Sequence, residues 1–316
     1  MNVEQALAQA AQFFNEGRFS EAEQIYRGIL QEDPGQPDAL HRLGLLAHLA
    51  GQSEHAINLI QTAVANAPGY FSAHNNLGNV HRELGQLDEA AASYRQALAA
   101  KPDYLEAHSN LGIILQMQGQ LDEAIECYRQ ALALNPEFAD ANNNMGNALT
   151  NLDRLDEAAT CYRNAIKSAP QFAEAHFNLG TILKNQGKLD EAIECFKQAL
   201  EINPELAEAH NTLGTTQQKM GNLEEAVQCY QDALTARPEF AVAYSNLGNV
   251  LEQLGRLEEA VASYRKALEI QPDYPEAAGS LGSVLLSLGE LEEGLAMEQI
   301  GFGVVSFDLE NGVSIH

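Results

Sequence analysis

The chain has 316 residues, no tryptophan, 45 % hydrophobic residues and a formal net charge of −26. That excess of acid argues against a nucleic-acid backbone as partner, since binding there is driven by Lys and Arg releasing counterions, and no run approaches the roughly 18 to 20 apolar residues of a membrane span. The opening MNVEQALAQAAQFF carries an acidic and no basic residue ahead of its short apolar stretch, so it lacks the parts of a secretory signal and the expected compartment is the cytoplasm.

Eight of the ten prolines, Pro34, Pro68, Pro102, Pro136, Pro170, Pro204, Pro238 and Pro272, stand 34 residues apart. A fixed period of this length means one small supersecondary unit stacked on copies of itself, with function on an extended surface and not in one deep pocket. The period predicts an array over residues 1–300, about eight full repeats across 3–274 followed by a degenerate ninth, and a tail at 301–316.

The first copy, residues 3–36, carries Gln9 at the position where Leu recurs, which suits an end-capping repeat with one solvent-facing side. From the second copy on, Gly44, Gly78, Gly112, Gly146, Gly180, Gly214, Gly248 and Gly282 hold one first-helix position. Ala90, Ala124, Ala158, Ala192, Ala226 and Ala260 hold the matching small position of the second helix, beside Tyr94, Tyr128, Tyr162, Phe196, Tyr230 and Tyr264. A small residue facing a large one lets neighbouring helices interlock. Acidic pairs such as Asp88-Glu89, Asp122-Glu123 and Glu258-Glu259 recur just inside the second helix, where carboxylates favour the helix dipole. A catalytic pair would occur once, not in every repeat.

Cys127, Cys161, Cys195 and Cys229 are one position in four successive copies. Stacked helices about 8 to 10 Å apart cannot bring such equivalents into a disulfide or a zinc site, so reduced, packed thiols are expected. The recurring His74, His108, His176 and His210 are read in the same way, as core or boundary packing. In the fifth copy Asp153 replaces the turn glycine, a place where Asp can adopt the left-handed conformation at some cost.

The clearest copy runs from Ala173 to Leu206. Its first helix has a buried stripe of His176, Leu179, Gly180 and Leu183, and Gly187 supplies the turn. Asp190 and Glu191 open the second helix, Ala192, Phe196, Ala199 and Leu200 form its stripe, and Pro204 ends it. The ninth copy fails after Leu295, with Glu298 at the aromatic position and Gly301 at the Ala. In the tail, Val304 to Leu309 and Val313 to Ile315 flank Asn311-Gly312, a strong hairpin signal. Such a hairpin is expected either to cap the last helix pair or to begin a second domain.

With Leu-Gly in the first helix, a Gly turn, Ala and an aromatic in the second and a closing Pro, the copies resemble the tetratricopeptide repeat (TPR) family over about nine-tenths of the chain. The resemblance implies an all-α, right-handed superhelical solenoid of antiparallel helix pairs whose first helices line a concave groove for a protein or peptide. The acidic balance separates the chain from the RNA-reading pentatricopeptide repeats.

Opposite the buried stripe, Glu174, Phe177, Asn178, Thr181 and Lys184 are expected to face that groove. One position of the stripe reads Asn76, Asn110, Asn144, Asn178, Thr212 and Asn246 down the array, with Asn75, Asn143 and Asn211 on one side and Asn79, Asn147 and Asn249 on the other. An amide donates and accepts together, so it can grip peptide backbone without reading side chains. First helices about 8 to 10 Å apart and an extended chain advancing about 3.3 Å per residue put one rung at every third peptide residue. The expected peptide-binding residues are therefore Asn76, Asn79, Asn110, Asn144, Asn147, Phe177, Asn178, Asn211, Asn246 and Asn249. The competing reading has these amides simply polar or in contact with the next repeat's backbone, and Phe177 either anchors a ligand or packs on its neighbours. Phe14, Leu45 and Leu49 form an apolar patch at the N-terminal end, with packing the favoured role.

Strings such as HSNLG, NNNMGN and YSNLGN are similar to the TPR arm of O-linked N-acetylglucosamine transferases, which implies backbone binding by these asparagines; the resemblance covers the arm only. The carboxylate clamp of other TPR proteins is not matched. Arg42, Arg82, Lys184 and Lys219 are scattered, and Asp38, Glu106, Asp140, Glu174 and Glu208 edge the groove, so neutral or basic segments are the expected partners. The expected function is a non-enzymatic scaffold without catalytic residue, cofactor or metal. The alternatives are a substrate-recruiting arm of a glycosyl- or methyltransferase and a self-assembling scaffold.

Overall fold

The structure, a computed structural model, describes residues 2–302, 305–308 and 312–315. The chain forms two compact units, Met1–Ser168 and Ala169–His316. The first contains α1 (Val3–Asn15), α2 (Phe19–Glu32), α3 (Pro37–Leu49), α4 (Ser53–Asn66), α5 (Phe71–Glu83), α6 (Leu87–Ala100), α7 (Leu105–Met117), α8 (Leu121–Leu134), α9 (Ala139–Asn151) and α10 (Leu155–Ser168). The second contains α11 (Ala173–Asn185), α12 (Leu189–Ile202), α13 (Ala207–Met220), α14 (Leu223–Ala236), α15 (Ala241–Gln253), α16 (Leu257–Ile270), α17 (Pro275–Leu288) and α18 (Leu291–Phe302). Odd-numbered helices are the first helices of the repeats and even-numbered ones the second.

Local chemistry sets the boundaries. Asn2 and Gln5 form a reciprocal capping box at the start of α1, satisfying two otherwise unpaired backbone N–H groups. The second helices α6 and α8 have no side-chain cap but carry Asp88 with Glu89 and Asp122 with Glu123 in the first turn, so carboxylate charge meets the helix dipole there. The turn inside each pair bends through a left-handed residue, a glycine with φ of 72° at Gly85 and 86° at Gly289. In the fifth repeat that residue is Asp153, at φ 58°, as its place in the sequence requires.

The two helices of a pair interlock as the small-large alternation predicts. Tyr94, Tyr128 and Tyr162 in the first unit and Phe196, Tyr230 and Tyr264 in the second are wholly or almost wholly buried. A Cβ on Gly112 would lie 2.6 Å from Tyr128 Cε1. In the ninth repeat, where the aromatic is missing, the Cγ of Glu298 would stand 2.7 Å from a Cβ on Gly282, and Gly301 lies against the backbone of Gly279. The first helix of the clearest copy buries Leu179, Gly180 and Leu183 as expected, while His176 is only half-buried and Ala175 and Ile182 join the core.

Within each unit the first helices form an inner row. Successive first helices such as α5 and α7, or α13 and α15, touch one another, whereas no two successive second helices come as close. At the C-terminal end the backbone of β1 (Val305–Asp308) runs antiparallel to β2 (Gly312–Ile315), Val305 opposite Ile315. The fold class rests on the helices, and the expected tail hairpin is not a supported part of it; its turn residue Asn311 lies outside the described residues.

Candidate peptide-binding face

The asparagine rows sit on the inner row of helices, and they are not free side chains. In the first unit Asn110 on α7 donates through Nδ2 to Oδ1 of Asn75 on α5, at 3.1 Å, and to Oδ1 of Asn79 at 3.4 Å. In the second, Asn246 on α15 donates to Asn211 on α13 at 3.0 Å. The ladder is thus itself hydrogen-bonded between repeats. The adjoining position is tied differently: the hydroxyls of Tyr94, Tyr162 and Tyr264 donate to Oδ1 of Asn79, Asn147 and Asn249 at 2.7, 2.8 and 2.7 Å. These bonds run from the second helix of a repeat to its own first helix, so the buried tyrosine hydroxyl is satisfied by the groove-side amide.

What remains of each amide differs along the row. Asn76, Asn110, Asn144, Asn178, Asn211 and Asn246 are all half-buried, not exposed. Asn110 and Asn246 spend Nδ2 on a neighbour and keep Oδ1 open, and Asn144 makes no side-chain hydrogen bond among the described residues. The row is thus one of amides whose donors are largely held and whose carbonyls are partly available. Phe177 is half-buried too, its ring centroid 5.9 Å from that of Phe196, so it packs within its own repeat. Of the apolar patch, Phe14 and Leu45 pack against the cores of the first repeats, and Leu49 is 62 % exposed.

At the N-terminal end the row turns into a relay. Asn76 Nδ2 donates to Nε2 of His41 at 2.9 Å, His41 Nδ1 donates to the Tyr70 hydroxyl at 3.0 Å, and that hydroxyl donates to Asp38 Oδ1 at 2.6 Å. His41 is buried, and desolvation together with the nearby Arg42 pushes its pKa down to about 4. The imidazole is therefore neutral, with its proton on Nδ1.

The recurring histidines have a role that sequence reasoning assigned only to packing. His74, His108, His176 and His210 place Nε2 at 3.0, 2.8, 3.0 and 2.9 Å from the carbonyls of Pro68, Pro102, Pro170 and Pro204. Asn142 reaches Pro136 in the same way at 3.3 Å. Each ties a first helix to the residue that ends the preceding repeat. The constant six-residue spacing from Pro to His was the signal for it.

Around the face, Asp38, Glu106, Asp140 and Glu174 are exposed, while Glu208 pairs with Arg237 at 2.6 Å. Burial and the neighbouring Lys219 hold the Lys184 ammonium below its usual pKa. Burial pushes the thiols of Cys127, Cys161 and Cys229 up to about 11, so they are protonated and poor nucleophiles at neutral pH. Among the described residues no group of His, Cys, Asp or Glu could hold a metal ion, and no helix is long and apolar enough to cross a membrane.

Comparison with known proteins places this face in context. A family model described as the C-terminal domain of cilia and flagella-associated protein 70 matches residues 69–284, and a tetratricopeptide repeat model matches residues 13–77. No curated protein matches the sequence. Among solved structures, the chain is similar to one in the APC/C hetero-tetramer Cut9-Hcn1, with 19 % identity over 89 % of this chain and 55 % of that one and a TM-score of 0.60. It is similar to PilF of Pseudomonas aeruginosa, with 22 % identity over 66 % and 94 % and a TM-score of 0.59. It also resembles YrrB, described as a TPR protein with an unusual peptide-binding site, with 24 % identity over 64 % and 100 % and a TM-score of 0.52. At these identities the structural likeness is one of fold, and the resemblance to the arm of O-linked N-acetylglucosamine transferases finds no support among these matches. The repeat signature, the helix pairs and the family models agree: the chain belongs to the tetratricopeptide repeat family, whose fold is that of a protein-interaction scaffold.

Proposed function

We propose that the inner row of first helices within each unit binds an extended segment of a partner protein, gripping its main chain through asparagine carbonyls. The observation that carries this reading is the state of Asn110 and Asn246: each is held by a bond to the preceding repeat and keeps an open Oδ1. A pre-oriented acceptor loses little side-chain entropy on binding, and a peptide N–H is its natural complement. The acids Asp38, Glu106, Asp140 and Glu174 on the rim favour neutral or basic segments and disfavour acidic ones. The proposed role involves no reaction.

Because Asn110 also links repeats, its loss would disturb stability as well as binding. Asn144 separates the two, since it makes no side-chain hydrogen bond among the described residues. The test is a pull-down from cell extract with the wild-type chain, with Asn144→Ala, and with Asn110, Asn144 and Asn178 all changed to Ala, each melted by circular dichroism. The expected result is that Asn144→Ala melts like wild type and retains less partner, and that the triple variant retains none. Partners kept in full by both variants would remove the reading and move attention to the outer helices.

A further inference from the structure

In the first unit three of the aromatic-position tyrosines pair their hydroxyls, and a fourth breaks the pattern. Tyr94 and Tyr162 give their hydroxyls to Asn79 and Asn147, and Tyr128 donates to Gln116 at 3.1 Å. The equivalent Tyr26 on α2 has Ala11 and Phe14 at the two positions that supply those acceptors. Its ring is fully buried and its hydroxyl has no hydrogen-bond partner among the described residues. Leaving a buried hydroxyl unpaired is costly, and its tyrosine helps to line a cavity of about 350 Å³ formed with Glu4, Leu7, Ala8, Ala11, Asp38 and Arg42.

A second feature points to a ligand at the same place. Arg42 is half-buried and makes no ion pair among the described residues, in a chain with 44 acidic side chains. Its guanidinium lies 5.9 Å from the Phe14 ring centroid. The deeper polar groups of the cavity are thus donors, Tyr26 and Arg42, and burial, which raises the pKa of Tyr26, keeps its proton in place. The acids Glu4 and Asp38 are exposed at the mouth. Leu7, Ala8 and Ala11 supply an apolar wall.

We propose that this cavity receives a carboxamide side chain, Gln or Asn, from the segment bound on the inner face. The carbonyl oxygen accepts from the Tyr26 hydroxyl and the Arg42 guanidinium, and the NH₂ group donates to Glu4 or Asp38. A carboxylate would satisfy the same donors but set a further negative charge against the two acids, and an aliphatic side chain would leave the hydroxyl unpaired. The Tyr26 hydroxyl is closed off from solvent, so binding includes the movement of a side chain that lines the cavity. The source of the ligand rests on the peptide-binding reading above, but the pocket is tested without it.

The probe is N-acetylglutamine methylamide, titrated into the full chain and followed by ¹H–¹⁵N NMR at Leu7, Ala8 and Ala11, with the corresponding glutamate and leucine derivatives alongside. The expected result is saturable shifts with the glutamine probe, weaker ones with the other two, and a loss of affinity of roughly 3- to 10-fold in Tyr26→Phe, the range for one hydrogen bond. Tyr26→Phe removes no internal bond, so its melting temperature is expected to equal or exceed that of wild type; Arg42→Gln serves if it does not, with a similar loss. No shifts at these residues, equal shifts with the leucine probe, preference for glutamate, or unchanged affinity in both variants would each overturn the proposal. Because no long peptide is present, failure here leaves the Asn144 result to judge the wider reading separately.

Discussion

A hydrogen atom at Gly112 decides how close α7 and α8 can come. The Tyr128 ring lies where a Cβ would be, at 2.6 Å, a separation no real Cβ contact tolerates, and the buried ring has nowhere to move without displacing its neighbours. Gly112→Ala is therefore expected to destabilise the first unit by about 1–3 kcal/mol, measured as a lower urea midpoint; an unchanged midpoint would mean the ring is not fixed. Asp153 is the opposite case. It holds the left-handed turn at φ 58° that glycines occupy in other repeats, a conformation that L side chains, Asp included, adopt at a cost. Asp153→Gly is expected to raise stability by about 1 kcal/mol, seen as a higher midpoint with an unchanged slope. Both positions were legible in the sequence, because each breaks or keeps a 34-residue pattern at a place where only backbone geometry is at stake.

Between one repeat and the next, the helices are joined by polar bonds as well as by apolar packing. The His108 imidazole takes the Pro102 carbonyl at 2.8 Å, which ends α6 and seats the start of α7 on it. His108→Ala is expected to lose that bond and cost about 1 kcal/mol, whereas His108→Asn should recover part of it, since Asn142 makes the equivalent contact to Pro136. Thermal melts of the two variants check this, and equal losses would show that only ring volume matters. The helix pairs themselves followed from periodicity, turn glycines and closing prolines. The direction of the side-chain bonds did not, because residues 35 apart, such as Asn75 and Asn110, face one another only once the stacking offset between first helices is known. The asparagine row was visible as a row; that its members would bond each other before any ligand was not.

Over the whole chain, the same buried groups recur in repeat after repeat, and this sets a shared response to alkali. Desolvation pushes Cys127, Cys161 and Cys229 up to about 11 and Tyr94 up to about 12, and raises Tyr128, Tyr230 and Tyr264 further. Each of these acids is held in its neutral form by the fold, so its pKa is higher folded than unfolded. The stability that each contributes is complete below its ordinary value, about 8.5 for a thiol and about 10 for a phenol, and is lost as pH rises towards the raised value. The formal charge of −26 at neutral pH adds to this, because every proton released deepens the self-repulsion. Stability is therefore expected to be flat from neutral pH to about 8.5, to decline from there, and to fail once the raised values are approached, with helix loss and tyrosinate formation in one step. Circular dichroism and ultraviolet absorbance recorded along the same alkaline titration measure both. Tyrosinate appearing near pH 10 while the helices persist would show that the phenols at the repeat centres are open to water, and would undo the packing argument on which every repeat depends.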